Sequence, residues 1–329
     1  MTESRSNRLS RNISLLTVLA VLCCTATLSF FTFRHVLNAE THARYVGIVN
    51  VVSEELAKTI RGMEMNAMNV FDEVGKHMDS PEAVIGALKS KTSLNPDVRG
   101  YFAAFEPDYY PKEGRWFEPY VHQRDTTGFE VSMVGSARHD YFKSGWYVRA
   151  KSTNSSFWSD PYYYQDDTGL KGHYCTYVKP IFDVSGRLAC VCGADITLEW
   201  LVGELQRIDN RKKNDALLNS YRMFRELDFY TVIFNSDGTC IAHPDSKFGA
   251  LKDANILSDM AQRQSGTAKM EVNGIPSIIY YKPLESIDWS VAVIVAEHDT
   301  HKPLMLLVLA LSLMVVLGLA ITWYVLSKK

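Results

Sequence analysis

The chain has 329 residues, 47% of them hydrophobic, and a formal net charge of −2. This near-neutral balance carries no basic stripe, which argues against nucleic acid as a partner. The sequence also has no P-loop, no nucleophile elbow and no HExxH motif, and its six cysteines lack the paired spacing of a zinc site. We therefore expect no catalytic residue, no metal site and no cofactor.

Two uncharged apolar runs, at 13–33 and 304–326, flank most of the chain. Each has about the twenty residues that a helix needs to cross a ~30 Å hydrocarbon core. Three arginines precede the first run and two lysines follow the second, so the positive-inside rule predicts that both termini are cytoplasmic. The alternatives are a signal peptide, for which the first run is too long, and a core helix, which would show a polar face.

These runs predict a multi-pass protein of the cell (inner or plasma) membrane. We expect a cytoplasmic tail at 1–12, transmembrane helices at 13–33 and 304–326, and a cytoplasmic end at 327–329. Residues 34–303 would form an extracytoplasmic or periplasmic region.

The pattern between the two spans predicts an α/β (α+β) region. Apolar side chains recur at helical spacing over 34–80 without an interrupting proline, which predicts a long signalling helix that continues out of the first span. Ser80-Pro81 is typical of the start of a second, short helix. We expect strands at 98–105, 115–122, 173–182 and 187–196, a helix at 197–207, and strands at 229–234, 239–243, 266–272, 276–281 and 289–295. The polar stretch 209–219 is expected to separate two modules, at 81–208 and 209–303.

Aromatic side chains crowd together between residues 141 and 177. Ligand sites are mostly apolar and aromatic with a few placed polar groups, and a carboxylate such as Asp195 can pair with a cationic ligand. Core packing is the alternative for each aromatic residue, and helix capping is the alternative for Asp195. The candidate ligand-binding residues from this pattern are Trp146, Tyr147, Trp158, Tyr162, Tyr164 and Asp195.

Three segments, WSDPYYY (158–164), TYVKPIFDVSGRLACVCGADITLEWL (176–201) and TVIFNSDGTCIAHPD (231–245), resemble the double Cache sensor family. The resemblance implies a long N-terminal helix carrying two tandem PAS-like modules with antiparallel sheets, and a small-molecule ligand in the module farther from the membrane. Such domains occur on two-component histidine kinases, chemoreceptors, diguanylate cyclases and PP2C-type phosphatases. The implied partner is a cytoplasmic effector, in cis or in trans, and the sequence leaves open whether the chain is a fragment or a stand-alone sensor.

One subset of this family recognises amino acids, and the chain matches its motif in part. Trp146-Tyr147 corresponds to the Trp-Tyr pair, Asp195 to the last aspartate, and Tyr164-Gln165-Asp166 to a Tyr-x-Asp pair in a shifted register. The resemblance therefore adds Asp166 to the candidate ligand-binding residues.

The same motif also shows two departures. Ser144 stands where the family has an arginine, and His139 stands at the early tyrosine. Because a guanidinium grips a ligand carboxylate with two hydrogen bonds, we do not expect a free α-amino acid as the ligand. Lys143 or Arg149 would have to replace the missing arginine.

Three further expectations concern the oligomeric state, the cysteines and the rival functions. A homodimer is expected because paired parallel helices make small helix shifts readable across the membrane. The extracytoplasmic cysteines are expected in the core, and the sequence leaves open whether two of them form a disulfide. They are Cys175, Cys190, Cys192 and Cys240. The rival functions are an anchored interaction protein that binds a protein or glycan, and an anchored enzyme.

Overall fold

The computed structural model describes residues 2–92, 95–125, 128–165, 171–214, 229–243, 251 and 253–328. Its first element, α1 (Thr2–Lys76), is a single helix of 75 residues, about 110 Å long. No proline interrupts this stretch, so the predicted span and the predicted long helix form one continuous rod. The short helix α2 (Pro81–Thr92) follows, and the Ser80 hydroxyl caps it by accepting a hydrogen bond from the Ala83 amide at 3.2 Å.

The first antiparallel sheet lies in the first half of the extramembrane region. Its strands are β1 (Gly100–Phe105), β2 (Pro119–Asp125), β3 (Gly128–Met133), β4 (Phe157–Trp158), β5 (Tyr162–Gln165), β6 (Lys171–Phe182) and β7 (Leu188–Thr197). They lie in the order β3-β2-β1-β7-β6-β4, and β5 also pairs with β6. The helix α3 (Gly145–Thr153) precedes β4, and α4 (Leu198–Asn214) follows β7.

The second antiparallel sheet follows α4. Its strands are β8 (Tyr230–Asn235), β9 (Cys240–Ala242), β10 (Gly266–Val272), β11 (Ile275–Pro283) and β12 (Trp289–Ala296), in the order β10-β11-β12-β8-β9. The helix α5 (Ala254–Ala261) precedes β10, and α6 (Glu297–Ser327) begins directly after β12. The predicted α/β class, with a long helix and two antiparallel sheets, is confirmed.

The helix α1 packs against one face of both sheets. Tyr45 stacks on Tyr280 of the second sheet with ring centroids 5.4 Å apart, and Phe71 stacks on Tyr177 of the first sheet at 6.2 Å. Because Tyr45 lies nearer to the apolar run of α1, we call the second sheet with its helix the proximal module and the first the distal module. The remaining face of the distal sheet is covered by α3, and that of the proximal sheet by α5.

Two helices are long and apolar enough to cross a membrane by length and composition, within Asn12–Lys76 and at Leu304–Ser327. They lie against each other at Gly318 of α6. A Cβ atom at this glycine would lie 2.7 Å from Leu22 Cδ1, so the absence of a side chain permits the close approach of the two helices.

Several short elements of the structure were not predicted from the sequence: β3, β4, β5, α3 and α5. The strand predicted at 115–122 begins only at Pro119. Within the polar stretch 209–219, predicted as a module boundary, residues 209–214 are the last turns of α4. Asp209 is buried there and accepts a hydrogen bond from the Thr231 amide at 2.8 Å, whereas 215–219 lie outside the described residues.

All six cysteines are free thiols. Cys190 and Cys192 lie on the same face of β7, as expected from strand alternation, with their Sγ atoms 3.9 Å apart. Both are buried, and burial raises the pKa of the Cys190 thiol well above its usual value.

Close packing of the distal sheet depends on Gly193 in β7. A Cβ atom here would lie 2.1 Å from the Phe102 ring, so Gly193→Ala must displace that ring. We expect a loss of about 1–3 kcal/mol in the free energy of unfolding, measured by chemical denaturation of the detergent-solubilised chain. Gly203→Ala in α4 is the matched control, since no atom lies within 4 Å of its new methyl group. Equal stability of the two variants would contradict this packing.

Candidate ligand-binding site

A small cavity lies between the distal sheet and α3. The strands place alternate side chains on this face, so Phe102, Tyr120 and Asp195 point into it from β1, β2 and β7. The free space at its centre is about 30 Å³, which holds about two water molecules. The residues that line it are Phe102, Glu118, Tyr120, Val134, His139, Trp146, Tyr162, Tyr164, Tyr174 and Asp195.

Asp195 lies near the end of β7 and is 7% exposed. Its Oδ1 accepts a hydrogen bond from the Thr176 hydroxyl at 2.6 Å, and the Thr176 and Tyr162 hydroxyls are 2.7 Å apart. Burial raises the pKa of Asp195 to about 7, partly offset by the hydrogen bonds from Thr176 and Tyr120, and the neighbouring Glu118 contributes to the rise. This carboxyl group can therefore gain or lose a proton near neutral pH.

Asp195 is not a helix cap, which was the alternative to a role in binding. The Thr197 hydroxyl instead accepts a hydrogen bond from the Trp200 amide at 3.1 Å at the start of α4. The Asp195 side chain therefore faces the cavity and does not cap α4.

Glu118 is a second buried carboxyl group in the cavity. It was not predicted as a site residue from the sequence. It is 2% exposed, and its Oε2 makes no hydrogen bond within the described part of the chain. The Nε2 atom of His139 lies 3.4 Å from this oxygen. Burial raises the pKa of Glu118. A lone acid within the apolar run Trp116-Phe117-Glu118-Pro119-Tyr120 was the available signal, because a buried charge in such a run needs a partner.

A glycine in β1 makes room for the ring of Tyr120. A Cβ atom at Gly100 would lie 2.6 Å from Tyr120 Cζ, and Gly100 pairs with Asp195 across the sheet. The bare backbone therefore lets the phenol lie over β1 and reach Asp195.

A wider groove lies outside the cavity, with a volume of about 590 Å³. Cavity and groove share His139, Trp146, Tyr162 and Tyr164 as lining residues. The groove is further lined by Ser144, Gly145, Arg149, Phe157, Ser159, Asp160, Pro161, Tyr163 and Gln165. The Arg149 guanidinium lies 4.1 Å from the centre of the Phe157 ring.

The structure brings four of the predicted site residues together at the cavity: Trp146, Tyr162, Tyr164 and Asp195. Tyr147 follows Trp146 on α3 but lies behind the cavity wall, where its hydroxyl donates to Glu106 Oε1 at 2.7 Å. Neighbouring residues on a helix point in different directions, so only one of this pair faces the ligand space. Asp166 lies outside the described residues.

Trp158, a further candidate from the sequence, is absent from the described lining of both the cavity and the groove. It pairs with Tyr177 across β4 and β6, whereas Phe157 pairs with Val178. Side-chain alternation along β4 therefore turns Phe157 to the groove and Trp158 to α1.

On the face of the sheet toward α1, Trp158 connects three elements. Its indole Nε1 donates to Glu64 Oε1 of α1 at 2.8 Å, and its ring lies 6.3 Å from that of Trp289 at the start of β12. Burial raises the pKa of Glu64, partly offset by this hydrogen bond. Trp158 thus links the distal module to α1 and to the strand that leads into α6.

Acidic and aromatic side chains dominate the lining of the cavity. Two buried carboxyl groups face a ring of aromatic side chains, and none of the described residues that line the cavity is a lysine or an arginine. The described residues contain no group of three or more side chains that could hold a metal ion. Lys143, a suggested replacement for the family arginine, instead pairs with Asp140 at 3.0 Å.

Residues 84–202 match the family model of the methyl-accepting chemotaxis protein-like first PDC sensor domain. Solved structures with a similar fold include the periplasmic sensory domain of the Campylobacter jejuni chemoreceptor Tlp1, at 14% identity and a TM-score of 0.62 over 81% of this chain and 99% of that one. The extracellular domain of the histidine kinase mmHK1S-Z3 matches at 20% identity and 0.60, over 78% and 96%.

The ligand-binding domain of the Pseudomonas fluorescens chemoreceptor CtaA, solved with L-isoleucine, matches at 16% identity and a TM-score of 0.56 over 82% of this chain and 98% of that one. No curated protein matches the chain significantly. At these identities the structural matches establish the fold. Together with the family model they confirm the resemblance seen in the sequence: residues 84–202 match a first PDC sensor domain, and the chain shares the fold of these solved sensor domains.

Proposed function

We propose that this chain is a transmembrane sensor whose distal module binds a small organic cation and relays its presence to a cytoplasmic effector. The observation that carries the proposal is the pair of buried carboxyl groups, Glu118 and Asp195, in an aromatic cavity without a basic partner other than His139. Buried carboxylates without a countercharge are costly, and a protonated amine supplies that charge. We propose no catalysis by the chain itself.

The position of Arg149 argues against an α-amino acid as the ligand. Arg149 lines only the outer groove, where it lies over Phe157 and 3.4 Å from Asp288 of the proximal module. Among the described residues that line the cavity with Asp195, none is an arginine; Arg99 lies outside the lining and hydrogen-bonds Tyr174. This arrangement supports an amine that lacks an α-carboxylate, unlike the L-isoleucine in the CtaA complex.

We propose that the signal leaves the site through β4. Phe157 contacts the ligand groove, while the next residue, Trp158, contacts Glu64 of α1 and Trp289 of β12. A displacement of β4 therefore acts on both helices that continue into the membrane, with both termini in the cytoplasm. The ligand biases this displacement only through its different affinity for the two arrangements.

Two copies of the chain are proposed to pair along the outer face of α1. Val51, Met65 and Met68 are exposed on this face, at 38%, 67% and 40%. Membrane insertion holds the two helices parallel, so a shift of α1 changes the contact between the copies. A protein or glycan partner on the same face is the alternative to this homodimer.

The charge of Asp195 can be tested with Asp195→Asn. Burial raises the pKa of Asp195 in the folded state. The folded chain therefore loses stability as the pH rises from the pKa of Asp195 in the unfolded chain toward about 7. The variant is expected to raise the Tm of the ligand-free chain at pH 8, with little change at pH 4. It should also weaken binding of primary amines at least tenfold, measured by calorimetry. Unchanged amine binding would contradict the proposed role.

The relay can be tested by disulfide cross-linking of Met65→Cys between copies, in a background with Cys23 and Cys24 replaced by alanine. We expect Met65→Cys to cross-link faster than Val184→Cys, which lies on an exposed turn. The rate of cross-linking at position 65 should change when the best-binding amine is added. Trp158→Phe removes the hydrogen bond to Glu64 and should abolish that change without altering affinity.

Trp116→Phe is the matched control, because its indole donates to Asp140 at 3.3 Å, away from α1. Equal cross-linking at positions 65 and 184 would refute pairing along this face of α1. A ligand response that survives Trp158→Phe would refute the route through β4.

A further inference from the structure

The cavity and the groove together form a site with two compartments. They meet at a wall made of His139, Trp146, Tyr162 and Tyr164, which line both. The inner compartment holds about 30 Å³ and the outer about 590 Å³. A ligand of ordinary metabolite size therefore places only a small head in the cavity and lies mostly in the groove.

The inner compartment fits a primary ammonium group. Such a group has three N–H donors, and Glu118 Oε2 lacks a hydrogen bond within the described part of the chain. Asp195 supplies a second carboxylate, and the Tyr120 and Tyr162 hydroxyls lie beside it. A quaternary ammonium has no N–H donor and is larger than the space of about 30 Å³, so it satisfies neither carboxylate.

The outer compartment fits an aromatic ring. Trp146, Phe157 and Tyr163 present aromatic surface there, and aromatic pairs contribute beyond their buried area. Its described ionic side chains besides His139 are Arg149 and Asp160, which carry opposite charges. The groove therefore offers little net attraction to a second charge on the ligand.

We infer that the site takes an arylalkylamine, with its primary ammonium between Glu118 and Asp195 and its ring in the outer groove against Phe157 and Tyr163. This inference rests on the proposed function and adds the shape of the ligand to it. Glu118 becomes a binding residue for the head, and Phe157 and Tyr163 become specificity residues for the ring.

The test measures binding of phenethylamine, butylamine, cadaverine and trimethyl-phenethylammonium to the full chain in nanodiscs by calorimetry. We expect phenethylamine to bind about three- to tenfold more tightly than butylamine, cadaverine to show no advantage over butylamine, and the quaternary compound to bind much more weakly. Tyr163→Ala should lose the preference for phenethylamine while leaving butylamine unchanged. Tyr163 is 56% exposed, so this variant should fold normally.

Phe182→Ala, an exposed aromatic residue outside the groove, is the matched control and should keep the preference. Equal binding of phenethylamine and butylamine, or a Tyr163→Ala variant that weakens both equally, would overturn the two-compartment inference alone. Tighter binding of cadaverine or of the quaternary compound would overturn it as well. Failure of every amine to bind a folded chain would overturn the proposed function itself.

Discussion

Alternation of side chains along the strands of the distal sheet determines what each residue there does. One face packs on α1 and contains Cys190, Cys192 and Tyr177, while the other face forms the cavity and contains Phe102 and Asp195. The sheet thus separates the cavity from α1. In the proposed function, movement on the cavity side would reach α1 through the backbone of the same strand, as at Phe157 and Trp158.

The cavity stores an electrostatic cost that the ligand can relieve. Asp195 and Glu118 are both buried, and burial raises the pKa of each. In the ligand-free state these groups either hold protons or bear a charge in a buried site, which is costly. The ammonium group of the proposed ligand would remove this cost, which would couple binding energy to the protonation and arrangement of the two carboxyl groups. The effect depends on close packing, because Gly100 makes room for Tyr120 beside Asp195.

Sequence periodicity was sufficient for the large elements and insufficient for the site. The proline-free apolar repeat of α1 and the strands around the hairpin turns were predictable, because long regular patterns determine them. The two-residue strand β4 is too short to carry a pattern, so the orientation of Trp158 could not be predicted. Glu118 was missed because its role depends on the fold, which brings β2 and β7 to opposite sides of β1.

The proposed ligand pairs its ammonium group with ionised carboxylates in the cavity. The most direct test of this pairing is the number of protons released on binding, obtained by calorimetry of phenethylamine at pH 6 in buffers with different ionisation enthalpies. Because Asp195 has a pKa of about 7 without ligand, it is largely protonated at pH 6 and must ionise to pair with the amine. We predict a release of close to one proton per bound amine from Asp195 at pH 6, to which any proton held by Glu118 adds, and a smaller release at pH 8.5. Binding at pH 6 without proton release would contradict it.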